Sequence, residues 1–265
     1  MEALKDRHIL AVAVGNTRTR LGLFVNGELQ DVQVAPSAAS ADVLAAVRMA
    51  IKDHAGVAAV IASVNEPAAD RIESALDEEL GEVYRIGRDV HIGMRHSLAD
   101  ASTLGQDRLL CALGAYARAQ QACVVVDAGT AITVDFVDGE GVFHGGIIAP
   151  GVRMMLASLH TGTSALPKLD WAEPDYGAGP YGKDTRDAML KGVRAAAIGL
   201  VRHVVESFAE EYEAYPQIVA TGGDAPALFE NDPVIEHIVP DLQLVGILEA
   251  CKAALAEEES SFGED

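Results

Sequence analysis

Positive charge is scarce in this chain. Twenty Lys and Arg stand against forty Asp and Glu, a formal net charge of −20 at pH 7. Such a field repels nucleic-acid phosphates and anionic lipid surfaces, so no nucleic acid and no membrane is expected as a partner. Long hydrophobic runs are missing as well, and no stretch reaches the roughly 18–20 apolar residues that cross a bilayer. The opening "MEALKDRHIL" sets mixed charges before its apolar residues and offers no small-residue cleavage site, which argues against a signal peptide. Cysteine is rare: Cys111, Cys123 and Cys251 form no C-x-x-C pair, so free buried thiols and a cytoplasmic, reducing location are expected. Eight histidines are scattered without the spacing or carboxylate company of a metal site, and His91 and His96 read as loop residues.

What the chain has is apolar substance. Hydrophobic residues make up 49% of 265, enough for one large or two modest domains. Strand patterns fall at 8–14, 18–25 and 28–34, the last two joined by Asn26-Gly27, a strong hairpin signal. "ADVLAAVRMAIKDHA" follows at helical period with Gly56 as its stop, then the buried-strand run "VAAVIASV", then "EPAADRIESALDEELG" as a helix, then the short strand "EVYRIG". The order β-β-β-α then partly recurs. "CVVVDAG" enters a turn, "AITVDFV" leaves it, Asp138-Gly139 signals a second hairpin, and "GVFHGGII" is a third strand. A long helix is expected at about 184–212, "QIVATGGDA" as strand and turn, "APALFE" as a short helix, and "LVGILEACKAALAEE" as a closing helix ahead of a frayed, solvated tail, "AEEESSFGED".

The two halves superpose on their turns. Gly15 falls on Gly129, Thr19 on Thr133, and Asn26-Gly27 on Asp138-Gly139. This duplication predicts two α/β domains facing a cleft, residues 1–117 and 118–265. Four clusters carry the chemistry. Gly15-Asn16-Thr17 can present backbone N–H groups to a phosphate. Gly105, Asp107 and Arg108 open a helix, Asp127, Gly129 and Thr130 end a strand, and Thr221-Gly222-Gly223-Asp224 joins a strand to a helix. Taken singly, each also fits a plain hairpin, Asx turn or helix cap.

In order and together, these segments resemble the type III pantothenate kinase family of the actin–hexokinase-like phosphotransferases. "GNT", "LGQDR", "VVVDAGTAITVD", "GGIIAPGVRMMLASLHTGTSALP", "GKDTRDAMLKGV" and "VATGGDA" match its motifs nearly end to end. The resemblance implies two duplicated actin/ribonuclease-H-like α/β domains with mixed sheets flanked by helices. It implies ATP-dependent phosphorylation of the primary hydroxyl of pantothenate to 4'-phosphopantothenate, the first step toward coenzyme A. ATP, Mg2+ and a monovalent cation, K+ or NH4+, would serve a cytoplasmic homodimer, with the helix at 184–212 as a dimer element. Asp107 matches the proton acceptor, and Gly105, Gln106, Asp107, Arg108 and Thr185 match substrate-binding positions. Gly15, Asn16, Thr17, Arg18, Thr130, Gly222 and Gly223 match nucleotide contacts, and Asp127 matches the monovalent-cation ligand.

The chain departs from that pattern in one place that matters chemically. The family's first motif reads Asp-x-Gly-Asn-Thr, whereas this chain reads Ala13-Val14-Gly15-Asn16-Thr17. The aspartate helps place magnesium on the ATP phosphates, and a methyl group ligates no metal. An alternative reading is therefore a catalytically impaired homologue that binds nucleotide or acts as a regulatory or binding protein. In "HSLADAST", before Gly105, no aromatic matches the family's, and His96 is the one substitute in view.

Overall fold

The computed structural model describes residues 8–177 and 179–262 and divides the chain into two compact units. The first takes in the described residues through Gln120, together with Gly141–Phe143 and the chain from Asp241 onward; the second is Gln121–Glu140 with His144–Pro240.

The first unit is built on β1 (His8–Val14), β2 (Arg18–Val25), β3 (Glu28–Pro36), β4 (Val57–Ser63) and β5 (Val83–Arg85), in the sheet order β3-β2-β1-β4-β5. β1 pairs antiparallel with β2 and parallel with β4, which pairs parallel with β5. Asn26 and Gly27 both take positive φ, 52° and 81°, closing the hairpin their sequence announces. β1 is apolar on both faces because both are covered. Leu10, Val12 and Val14 join Val43 and Val47 of α1 (Ser40–Ile51) and Ile72 and Leu76 of α2 (Glu66–Leu80). Ile9, Ala11 and Ala13 join Leu110 of α3 (Gln106–Ala119) and Leu244, Ile247 and Leu248 of α7 (Leu242–Phe262). α1 stops at Ile51, short of the expected Gly56. Arg85, buried at the end of β5, pairs with Glu66, with Asp70 at 3.3 Å and with Glu73 at 2.9 Å, fastening α2 to the sheet.

The closing helix, expected with the second domain, groups instead with the first unit. Two glycines explain how it gets there. A Cβ on Gly246 would stand 1.9 Å from the Leu110 carbonyl oxygen, and one on Gly114 would stand 2.6 Å from that of Leu242. Only glycine lets α3 and α7 pack backbone to backbone. The tail expected to fray is helical through Phe262, in keeping with its Ala and Glu content; its last three residues lie outside the described ones.

The second unit repeats the plan with β6 (Cys123–Ala128), β7 (Ala131–Val137), β8 (Phe143–Pro150), β9 (Gln217–Thr221) and β10 (His237–Ile238), in the order β10-β9-β6-β7-β8. Read from β8, that is the order of the first sheet, so the duplication is one of topology as well as motif. Val124, Val126, Ile132 and Val134 pack with Leu156 of α4 (Val152–Thr161), with Val193, Ala197 and Val201 of α5 (Thr185–Tyr212), and with Leu228 and Phe229 of α6 (Ala225–Phe229). The expected tight Asp138-Gly139 turn is instead a five-residue connection, residues 138–142, in which Gly141 and not Gly139 takes positive φ. Gly141 lies against the Tyr116 ring, where a Cβ would meet Cε1 at 2.6 Å.

Candidate functional site

In the first unit the candidate residues gather at the carboxyl ends of the parallel strands, the usual ligand side of an open α/β sheet. The turn after β1 is closed by the Gly15 N–H donating to the Arg18 carbonyl at 3.1 Å. It is held from outside by the Ser37 N–H on the Thr17 carbonyl at 3.1 Å and by a Thr19–Ser37 hydroxyl pair at 3.0 Å. Asn16, Thr17 and Arg18 are exposed on this pinned turn, available to an anion.

α3 begins beside the same sheet end, because the Gln106 side-chain amide donates to the Ile86 carbonyl, just past β5, at 3.1 Å. Asp107 accepts the Arg108 backbone N–H at 2.9 Å. A Cβ on residue 105 would come within 2.4 Å of Asp107 Oδ1, so Gly105 is what lets that carboxylate fold over the helix start. The Arg108 guanidinium lies 5.8 Å above the fully buried ring of Phe143. Phe143 also exchanges backbone hydrogen bonds with Arg95 and Ser97, at 2.9 and 3.0 Å.

Ala13, at 4% exposure, faces the α7 side of the sheet, directly across from Arg20 in the β1–β2 register. Arg20 donates to Asp241, just before α7, at 2.6 Å.

The second unit offers an equivalent edge. β6 and β9 run parallel and end together, Asp127 pairing in register with Thr221. Gly222, at φ 92°, passes so close that a Cβ would stand 2.3 Å from Asp127 Oδ1 and 2.4 Å from the Ala128 carbonyl oxygen. No side chain fits there, so the Gly222 turn packs against the Ala128 backbone beside one half-buried carboxylate. Such turns admit a ligand close to backbone N–H groups.

Asp224, from the cluster at 221–224, and Arg153, which carries no sequence signal of its own, lock this edge. The buried carboxylate of Asp224 accepts from Arg153 on α4, while the Asp224 N–H donates to the Ala128 carbonyl at 2.9 Å. Asp224 stands at the start of α6 yet makes no side-chain cap bond, so its task is to hold Arg153.

Thr185 stands elsewhere, as the first residue of α5, whose start is capped by Asp184 accepting the Asp187 N–H at 2.7 Å. The loop before it is tied down by Lys191, a buried lysine that donates to the Gly179 carbonyl at 3.0 Å and to Asp187 at 2.9 Å and lies over the Tyr176 ring. The Lys191 hydrogen bond holds the Asp187 carboxyl below its ordinary range.

A sequence model of type III pantothenate kinases matches residues 9–207. The chain belongs to the type III pantothenate kinase family. It is 41% identical over 190 residues to the type III pantothenate kinase of Rhodopirellula baltica, covering 70% of this chain and 68% of that one. To the enzyme of Syntrophotalea carbinolica it is 30% identical over 248 residues, covering 90% and 96%. Among solved structures, component A of (R)-2-hydroxyglutaryl-CoA dehydratase from Acidaminococcus fermentans superposes with a TM-score of 0.55 at 14% identity, over 95% of this chain and 98% of that one. The activator of 2-hydroxyisocaproyl-CoA dehydratase from Clostridium difficile, solved with bound ADPNP, gives 0.51 at 13% identity over 97% and 98%. These two show the fold alone. In this chain Gly-Asn-Thr stands at the first turn, Asp107-Arg108 at the start of α3, Asp127 near the end of β6 and alanine at position 13.

Proposed function

We propose that this chain transfers the γ-phosphoryl group of ATP to the primary hydroxyl of pantothenate. The observation that carries the reading is the start of α3, where a glycine-shaped opening holds the Asp107 carboxylate by one backbone N–H and leaves it acceptor capacity. As the pantothenate oxygen bonds to phosphorus, its proton passes to Asp107. The bond from phosphorus to the bridging oxygen breaks, and ADP leaves with the electron pair. Arg108, braced on Phe143, offers a planar fork to the substrate carboxylate, and Gly105 and Thr185 complete the substrate-binding set, the Gln106 side chain being engaged by the Ile86 carbonyl. The turns at Gly15–Arg18, Thr130 and Gly222-Gly223 take the nucleotide.

A divalent ion enters with ATP and neutralises phosphate charge. The first unit does not fit it as a resident: position 13 is a buried methyl, and among the described residues no group of three or more His, Cys, Asp or Glu is arranged to hold a metal. Asp127 fits a monovalent cation, K+ or NH4+, beside the Gly222 turn. A homodimer belongs to the same reading. The apolar stripe of α5 is already buried in its own unit, so a second copy would meet the opposite face, where Gly192, Ala195, Ala196 and Gly199 are exposed. A cytoplasmic location accords with buried thiols and with the absence of any membrane-crossing helix among the described residues.

The test is a coupled assay of ADP release with and without pantothenate, in K+ and in Na+ at equal ionic strength. Pantothenate-dependent turnover is expected, higher in K+, and Asp107→Asn should lower it by about a hundredfold or more without changing the thermal midpoint. ATP binding with no pantothenate-dependent turnover in the unaltered chain would favour the nucleotide-binding homologue instead.

A further inference from the structure

Among the described residues, the Asp107 carboxylate accepts one hydrogen bond, from the Arg108 N–H of its own turn. That bond moves with the helix, so the place of the carboxylate against the sheet depends on what holds the first turn of α3. No capping side chain does so, since Gly105 is the N-cap. One residue before Asp107, the partly buried Gln106 amide crosses to the Ile86 carbonyl at 3.1 Å.

The receiving peptide is itself fixed. The Ile86 N–H donates to the Ile61 carbonyl on β4 at 2.9 Å, and the Gly87 N–H to the Val90 carbonyl at 2.8 Å. The Arg85 carbonyl accepts the Asp89 and Val90 N–H groups at 2.8 and 3.1 Å, while the Arg85 N–H donates to the Asp89 carboxylate at 2.8 Å. The guanidinium of Arg85 is the buried one paired with Glu66, Asp70 and Glu73 of α2. Arg88 closes the loop on Glu73 at 2.6 Å and on Asp89 at 2.8 Å. Gly87 leaves room for the incoming amide: a Cβ there would stand 2.6 Å from Gln106 Nε2.

We propose that Gln106 is a positioning residue for phosphoryl transfer, which sets the place of Asp107 by tying the start of α3 to the braced loop 85–90. This rests on the reading of Asp107 as the proton acceptor. Such a group has to stand within about 0.5 Å of its productive place, and a misplacement near 1 Å costs up to about a hundredfold in rate. A single neutral hydrogen bond adds little to global stability. Here it governs the one displacement the reaction feels, the shift of the α3 start along the sheet edge. Substrate binding rests on other groups and survives its loss.

The experiment is single-turnover transfer from γ-labelled ATP to pantothenate by the full chain, at saturating substrates and at a temperature where every variant is fully folded by circular dichroism. KM values are measured alongside. Gln106→Met should slow transfer about tenfold and leave KM for ATP and pantothenate within about twofold. Gly87→Ala puts a methyl where the amide enters and should slow transfer similarly with Gln106 intact. Both changes break one contact, so the double variant should stay within about twofold of the slower single variant. If Gly87→Ala does not fold, Gln106→Asn takes its place: it keeps the amide one methylene short of the carbonyl and should be as slow as Gln106→Met. A Gln106→Met rate within twofold of the unaltered chain overturns the proposal, as does a loss confined to KM or a double variant in which the two losses multiply. An unaltered chain without pantothenate-dependent transfer sinks the kinase reading and the role of Gln106 with it. Equal transfer by the unaltered chain and Gln106→Met removes only the role of Gln106.

Discussion

Gln106 donates its side-chain amide to the protein's own Ile86 carbonyl, although its place in the Gly105–Arg108 segment makes it a candidate for substrate. The two roles separate cleanly. Gln106→Met keeps the length and removes the donor, leaving a carbonyl at a buried residue short of a partner, a cost of about 1–2 kcal/mol. The expected result is a thermal midpoint lower by a few degrees, with the KM for pantothenate changed less than about twofold. A tenfold rise in KM at an unchanged midpoint would return Gln106 to the substrate. At this scale the sequence is informative where a group acts through its neighbours in the chain. Asp107 stands two residues after Gly105, whose missing Cβ makes room for it, and that spacing is written locally, whereas the glycine that makes room for Asp127 is the distant Gly222. Arg20 and Asp241 are 221 residues apart, and Arg153 and Asp224 are 71 apart. Nothing in either segment names its partner, and the ring of Phe143 beneath Arg108 is hidden in the same way.

Apart from the ends of α1 and α7, the strands and helices of the first unit were legible to within about two residues, because apolar runs, helical period and the Asn26-Gly27 and Gly81 stops agree there. α4 was not, since Gly151 and the small and apolar residues after it carry no start signal beyond glycine. β10, two residues long, pairs with β9 at Val219 and Ala220 without any strand pattern of its own. α4 nonetheless matters to the edge at Asp127, since Arg153 joins it to the turn after β9. That pair is asymmetric: the Asp224 side chain is 6% exposed and the Arg153 side chain 56%. Removing the aspartate frees an arginine that can turn to water, whereas removing the arginine strands a buried carboxylate. Arg153→Ala should therefore destabilise the chain by about 1–3 kcal/mol more than Asp224→Ala, measured by denaturant unfolding at pH 7. Equal losses would show that the carboxylate finds another donor.

For the whole molecule the scarce cysteines set an alkaline limit. Burial pushes the thiols of Cys123 and Cys251 from 9.0 up to about 12. Below pH 9 both states keep these protons and the stabilising effect of burial is complete. Above it the unfolded chain sheds protons that the folded chain retains, so stability falls as pH rises from 9 toward 12. Denaturant unfolding at pH 8 and pH 10.5 should differ by about 2 kcal/mol per thiol at most, and a Cys123→Ala, Cys251→Ala variant should show a shallower pH slope. An identical slope would place the alkaline loss on other groups.

The joining of α7 to the first unit has a consequence for the order in which the protein can be made. One face of β1, from Ile9 through Ala13, is covered by Leu244, Ile247 and Leu248, and the Asp241 that holds Arg20 arrives with them. During synthesis, the first five strands emerge from the ribosome long before the helix that completes them. The second unit, continuous apart from Gly141–Phe143, is fully translated while the first still waits with an apolar face uncovered. The nascent chain thus holds the second unit complete while β1 still waits for α7, and the strand leaving the Gly15 turn receives its Arg20–Asp241 pair only once α7 has been made.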